Sequence, residues 1–367
     1  MPPVHYQPDH FPPDKRLEWH RLVPVIGPAH AAVARYDCLL GSVPNPVALL
    51  ATLRVQEAVC SSRIENIFAD VGAVLELDAG VEPANPYVRS DAREVLNCLA
   101  AERRALELLD ESPLSLRVVC EAHALLLAGE HGRGKSPGEF RRAQVWIGGP
   151  GSTPETATFV PAHAAQVPTG MSAWERYIHA GAPDRLVQLA VQHAKFEAVH
   201  PFLDGNGRLG RMVIPLLMWE HGLIRLPVFG LSTRIAARRG FYYDGLLGVS
   251  RSDDWTGWCL YFLDAVRAQA ENGAATVEAI LELRAETESV VSGLARPGNV
   301  AAALDRIFAR PVFPVSDFIA REGIPRRTAR RLLSRLEEHG VVEEIVPASG
   351  RRAAVMRFPR LLEVVEG

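Results

Sequence analysis

The stretch His200-Pro-Phe-Leu-Asp-Gly-Asn-Gly-Arg-Leu-Gly-Arg211, HPFLDGNGRLGR, decides how the rest of the chain is read. Upstream, residues 184–199 carry Leu186, Leu189, Ala190 and Phe196 at helical spacing, so a helix runs into the motif. Gly205-Asn206-Gly207 does not continue it easily, and a new helix is expected over about 208–220. A glycine loop that opens a helix presents unpaired backbone N–H groups, and such a site binds phosphate. Arg208 and Arg211 lie three apart, so they share a face of the first turn, where each can chelate phosphate oxygens bidentately. Asp204 stands just before the loop and can hold Mg²⁺, which prefers carboxylate and phosphate oxygens. His200, with an ordinary pKa near about 6.5, suits a general base. Base, metal ligand, anion loop and two cations fall within one short run, a set suited to phosphoryl-type transfer, which rests on positioning and charge stabilisation.

Around this motif lie 367 residues, 48% hydrophobic and 23% charged, the make-up of a soluble globular protein with ample core. The net charge of −3 is uneven, because 300–367 holds 12 Arg against 9 Asp and Glu. Five scattered cysteines, Cys38, Cys60, Cys98, Cys120 and Cys259, form no CxxC pair, which predicts reduced thiols in a reducing compartment. The first residues lack a basic-then-apolar leader, and no apolar run approaches the roughly 20 residues that span a bilayer. A cytoplasmic protein with no membrane partner is the expectation.

Apolar periodicity predicts helices over 29–39, 48–68, 90–109, 115–127, 171–179, 254–271 and 276–293. Glycines and prolines over 131–159, with the short run 143–147, predict a small hairpin. The fold class is mainly α with one small β element. Arg296-Pro297-Gly298-Asn299 reads as a linker. The division is an N-terminal helical region over 1–110, a catalytic core over 111–272, a connecting helix and linker over 273–299, and a C-terminal module over 300–367.

A helix–loop–helix corner with solvated charges would account for a lone GNG. The full string resembles the signature of the Fic family, HxFx(D/E)GNGRxxR, at every fixed position. The resemblance implies a Fic-type helical core with a β-hairpin flap. It also implies transfer of AMP from ATP to a Ser, Thr or Tyr hydroxyl of a target protein, or of the chain itself, with release of pyrophosphate. His200 would deprotonate the hydroxyl, Phe202 would anchor the loop, and Asp204 would coordinate Mg²⁺ between the α- and β-phosphates. Asn206, with the Gly205 and Gly207 backbones, would stabilise the α-phosphate; Arg208 would hold the β-phosphate and Arg211 the γ-phosphate. The family also transfers UMP, phosphocholine or phosphate, and the intact GNG favours AMP.

Residues 138–149, GEFRRAQVWIGG, resemble the Fic flap, whose strand edge would register a target segment by main-chain hydrogen bonds. On such a strand Val145 and Ile147 point to one side and Trp146 to the other. Thr158-Phe159-Val160-Pro161 resembles the segment after the flap, with Ala162 where many relatives carry a second proline. The run from Phe241 to Trp258 resembles the region near the nucleobase. It makes Tyr242, Tyr243 and Leu246 candidate base contacts, with core packing as the plainer alternative.

Ser61-Ser62-Arg63-Ile64-Glu65-Asn66 fits (S/T)xxxE(G/N), the inhibitory motif of autoinhibited Fic proteins, and its place before the core implies a class II arrangement. Ser61 and Glu65 lie four apart on one face of the helix expected over 48–68. By resemblance Glu65 would pair with Arg211 and deny the γ-phosphate its guanidinium fork. In some relatives the same Glu supports removal of AMP, so a de-AMPylating hydrolase stands as an alternative.

Helical patterns over 300–309, 315–321 and 325–339, then short strands over 341–346 and 352–358, look like a winged helix-turn-helix. Leu332, Leu333 and Leu336 give its third helix an apolar face; Arg326, Arg327, Arg330, Arg331 and Arg335 crowd the remainder, with Arg351 and Arg352 at the wing tip. Such a face suits DNA phosphates and the major groove, or a protein partner. A nucleotide-sensing, DNA-binding regulator is therefore the alternative from another class. A homodimer follows by resemblance alone.

Overall fold

A computed structural model describes residues 2–320, 323–350 and 352–366. Strand β1 (Val4–His5) opens the chain, followed by helices α1 (Trp19–Ser42), α2 (Pro46–Leu49), α3 (Ala51–Ile64), α4 (Val71–Asp78) and α5 (Pro86–Leu109). Then come α6 (Leu116–Leu126), β2 (Phe159–Val160), α7 (Val167–His179), α8 (Arg185–Val199), α9 (Asn206–Glu220), α10 (Leu231–Ala237), α11 (Arg239–Ser252) and α12 (Trp255–Leu294). The chain closes with α13 (Pro297–Ala309), β3 (Val312–Pro314), α14 (Val315–Ala320), α15 (Arg326–Glu338), β4 (Glu343–Val346), β5 (Val355–Arg357) and α16 (Pro359–Glu366). The fold is mainly helical. Local chemistry sets many boundaries: Asn45, Asp70, Asn85, Asp184 and Asp254 each accept a backbone N–H at a helix start, and Pro46, Pro86 and Pro297 occupy first turns.

Helix α8 is the hub. Leu186, Leu189, Ala190, Val191, Phe196 and Val199 are buried, and so are Gln188, Gln192, His193 and Lys195 on its other faces. A helix enclosed on all sides must lie within the core. It packs against α7, α9, α11 and α12, and this fixes where the motif loop emerges.

Four expectations need correction. The helices over 254–271 and 276–293 are one helix, α12. Gly273 costs about 1 kcal/mol in a helix interior, but a Cβ there would stand 3.0 Å from the Tyr36 ring, so the glycine lets α1 press against α12. The linker at 296–299 is the start of α13, because Pro297 takes the first helical turn, where its missing N–H is harmless. The helix over 48–68 is divided at Leu50 and ends at Ile64. The small hairpin expected within 131–159 reduces to one antiparallel bridge, Ile147 with Phe159. Beyond that bridge, β2 pairs in parallel with β1, so the Pro-rich N-terminus supplies the neighbouring strand.

In the C-terminal unit, the sheet order is β3-β5-β4, antiparallel throughout, with Phe313 opposite Met356 and Glu343 opposite Arg357. Strand β3 and helix α16 add to the elements expected from sequence. Ser349 bridges Arg352; Arg351, expected at the wing tip, lies outside the described residues. The unit is docked on the N-terminal helices. Helix α13 packs on α2 and α3, and α16 packs on α3, α4 and α12. Gln56 Nε2 donates to the Val365 carbonyl, Asn45 Nδ2 to Asp305 at 2.8 Å, and Arg310 pairs with Asp78 at 2.8 Å.

Candidate active site

Helix α8 ends at His200, whose φ of 50° turns the chain left-handed into the motif loop. That conformation is uncommon outside glycine and invites a functional reading. Phe202 is fully buried, and the His123 ring of α6 stacks on it at 3.7 Å. His123 accepts the Gly138 N–H at Nδ1 (2.9 Å), which leaves Nε2–H to donate to the Asp204 carbonyl at 3.0 Å. Burial pushes this imidazole down to about 4, so it stays neutral and keeps that tautomer. Gly205 stands at φ 76° as the cap of α9, with a Cβ position only 3.0 Å from Leu126. Asn206 begins α9, two residues earlier than expected. Its side chain is spent on the loop: Oδ1 accepts the Phe202 N–H at 2.8 Å and Nδ2 donates to the Phe202 carbonyl at 2.9 Å. A buried amide with both ends engaged braces the loop.

His200 is held from behind by Arg141, a buried side chain that sequence reasoning passed over. Arg141 Nε donates to the His200 carbonyl at 2.7 Å, Nη1 to Ala143 at 3.0 Å, and Nη2 to Val199 at 3.2 Å and to Ala162. One planar guanidinium therefore ties the flap base, the segment after the flap and the end of α8 together. Burial, reinforced by the Arg141 charge, pushes His200 down to about 4. The imidazole is unprotonated at neutral pH and able to accept a proton.

Arg211, on α9, is 2% exposed and meets three acceptors from one segment. Nε donates to Ser61 Oγ at 3.0 Å; Nη2 donates to the Ser61 carbonyl at 2.9 Å and to Glu65 Oε1 at 2.8 Å. Glu65 is the residue that caps α3, not a member of its interior. Asn66 follows at φ 62°, with Asn66 N–H to the Arg63 carbonyl and Ile67 N–H to the Ser62 carbonyl, both at 3.1 Å. These two bonds form a Schellman turn, which needs a left-handed residue after the cap; this gives the Gly-or-Asn position of the motif a physical reason. The turn sets the Glu65 carboxylate against the anion loop: a Cβ on Gly207 would lie 2.3 Å from Glu65 Oε1.

The remaining cations are also paired. Arg208 Nη1 donates to Glu94 Oε2 of α5 at 2.9 Å, and both side chains are buried. Lys135 pairs with Asp204, and His131 lies 3.0 Å from Glu94 Oε1 and 3.6 Å from Asp204 Oδ2. Burial raises the Asp204 carboxyl, but the Lys135 hydrogen bond and charge, the Gly205 N–H and Arg208 outweigh it, and the group sits below its ordinary range. Among the described residues no cluster of three or more His, Cys, Asp or Glu could hold a metal by itself. One ionised carboxylate that already accepts an ammonium suits Mg²⁺, which takes much of its shell from phosphate and water.

This loop and its supports lie where the family models match. The model of the Fic/DOC family matches residues 113–218, and that of the Fic/DOC family N-terminal region matches 23–107. The chain belongs to the Fic/DOC family. Its curated relatives include the protein adenylyltransferase Fic of Drosophila ananassae, 29% identical over 118 residues, and that of Drosophila melanogaster, 28% identical over 118 residues. Each match covers 31% of this chain and 22% of the relative, so only about a fifth of the relatives' length is spanned. Among solved structures, a Fic family protein from Desulfovibrio desulfuricans G20 has a TM-score of 0.59 at 21% identity, covering 92% of this chain and 95% of that one. Fic-1 of C. elegans has a TM-score of 0.52 at 20% identity, covering 69% and 72%. Both show the same fold.

The outer parts of this Fic/DOC site depart further from sequence expectation. Trp146 and Ile147 on the flap are 42% and 38% exposed, and Val145 is half-buried, but no flap hairpin strand forms around them. Tyr242, a candidate base contact, is 1% exposed, and its hydroxyl is hydrogen-bonded with His193 Nε2 at 2.8 Å beside Trp258. It is a core residue, corrected as such because α11 buries that face against α8 and α12. Tyr243 and Leu246 remain half-buried, with the Arg239 guanidinium 5.5 Å over the Tyr243 ring. On α15, Arg326, Arg327, Arg330 and Arg331 are exposed, with no ion pair among the described residues, over buried Leu332, Leu333 and Leu336. Arg335 is not part of that free face, because Nη1 donates to the Leu294 carbonyl at 2.8 Å.

Proposed function

We propose that the chain is an autoinhibited protein adenylyltransferase, moving AMP from ATP to a hydroxyl of a target protein or of itself. The observation that carries this reading is the Glu65 carboxylate seated on Arg211 and against Gly207, an anion in the place built for phosphate. Neutral His200 takes the hydroxyl proton as the oxygen attacks the α-phosphorus, and pyrophosphate leaves. The backbone N–H groups at the start of α9 and the Arg208 and Arg211 guanidiniums hold the anionic groups in line, which is where such transfers gain most. Asp204 would hold Mg²⁺, which when bound neutralises charge on the phosphates. While Glu65 occupies Arg211, the γ-phosphate lacks its fork and the α-phosphate is misplaced for attack.

Incubation with ATP labelled at the α-phosphate tests this. Glu65→Gly should incorporate label into itself or an added protein, wild type far less, and His200→Ala none. Absence of transfer by every variant, with varied protein acceptors, would sink the enzyme reading. A wild type as active as Glu65→Gly would sink the inhibitory one. Loss of label from a pre-modified target, dependent on Glu65, would favour the hydrolase.

A second reading belongs to the C-terminal unit. Four exposed arginines on one helix, without an ion pair among the described residues and followed in the chain by an antiparallel hairpin, support a winged helix that binds DNA phosphates. If all four meet phosphates, the logarithm of affinity should fall with the logarithm of salt at a slope of about −3.6. Binding that ignores salt, or survives replacement of all four, would leave a protein partner instead.

A further inference from the structure

We infer that Glu94 is a positioning residue for the polyphosphate end of this site, holding Arg208 ready for the β-phosphate; this rests on the nucleotide reading above. Glu94 projects from the middle of α5 and is 5% exposed. A buried carboxylate must be paired. Here its two oxygens are divided: Oε2 accepts from Arg208 Nη1 at 2.9 Å, and Oε1 lies 3.0 Å from His131 Nδ1. The other imidazole nitrogen of His131 lies 3.6 Å from Asp204 Oδ2. One carboxylate thus links the arginine expected to hold phosphate to the residue expected to hold metal, by way of the loop after α6.

Glu94 differs from Glu65 in a way that separates support from brake. The Glu65 side chain is 34% exposed at a helix end, where a change in the turn can withdraw it. The Glu94 side chain is 7% exposed in mid-helix, enclosed by what it holds. Moving Arg208 away would strand a buried carboxylate, so Arg208 stays where Glu94 puts it. The Arg208 Nε is buried and has no hydrogen-bond partner among the described residues. A guanidinium clamped at one nitrogen loses little freedom when it binds phosphate with the others.

The test is calorimetric titration of ATP and of AMP, each with Mg²⁺, into the Glu65→Gly/His200→Ala protein, with and without Glu94→Gln. The parent variant frees Arg211 and cannot turn over. Glu94→Gln should weaken ATP binding tenfold or more and leave AMP, which has no β-phosphate, within about twofold. Unchanged or tighter ATP binding overturns the assignment, the second result marking Glu94 as another brake. Parallel weakening of ATP and AMP also overturns it, since a merely structural role would damage both. Should Glu94→Gln not fold, His131→Ala on the exposed side of the same carboxylate carries the test, with selective loss of ATP affinity expected and unchanged affinity overturning. A parent that binds neither nucleotide removes the nucleotide reading itself, a failure distinct from all of these.

Discussion

Asn66 turns left-handed, at φ 62°, directly after Glu65, and the turn fixes the carboxylate that Arg211 receives. The geometry tolerates Gly and resists a β-branched residue, for which the left-handed region costs about 1–2 kcal/mol. Asn66→Gly should therefore keep wild-type stability and low basal labelling from ATP. Asn66→Val should loosen the end of α3 and raise labelling severalfold without touching any residue of the motif. A Val variant as quiet as wild type would show that the left-handed turn is not what keeps Glu65 on Arg211.

The depressed pKa of His200 sets a pH expectation. A free imidazole would be mostly protonated at pH 5.5 and lose about tenfold in base form. With burial and Arg141 holding His200 near about 4, the base form persists to well below pH 6. The kcat of Glu65→Gly should stay flat from pH 8 to pH 6. An acid limb with a midpoint near 6.5 would mean that the open site rehydrates His200.

Arg141 should be as costly to remove as any residue here. Its donors satisfy the carbonyls of Ala143, Ala162, Val199 and His200. Arg141→Met should lower unfolding free energy in urea by about 3 kcal/mol or more, since two buried and two part-buried carbonyls lose a charged partner. Arg141→Lys recovers little, because an ammonium cannot span the fork. A loss below about 1 kcal/mol would mean that water replaces Arg141 at these carbonyls.

Adjacent tyrosines on α11 should separate. Tyr242→Phe strands buried His193 and should cost about 1–3 kcal/mol of stability with no change in ATP affinity. Tyr243→Ala should spare stability and weaken ATP and AMP alike by roughly fivefold, the worth of one aromatic stacking contact. Equal nucleotide affinity in the Tyr243 variant would move the base elsewhere.

What could be read from the sequence alone is what is local. The string 200–211 carries its chemistry in consecutive residues, and (S/T)xxxE(G/N) is a helix end written in the residues that form it. Helix caps and the basic third helix of the C-terminal unit are local in the same sense. The pairings are not. Arg208 finds Glu94 across 114 positions, Asp204 finds Lys135 across 69, and Arg141 reaches His200 across 59. A buried charge gives no periodic signal, and its partner is chosen by how helices cross. An arginine within GEFRR and a glutamate within a helical stripe read as surface charges until burial is known. The single helix α12 and the buried Tyr242 were decided the same way, by close approach of α1 and by the face that α11 turns inward. Sequence determined the groups that the two motifs bring to the site. Tertiary structure decided which of them are engaged, because a buried cation must take its counter-charge from whatever chain the fold brings near it.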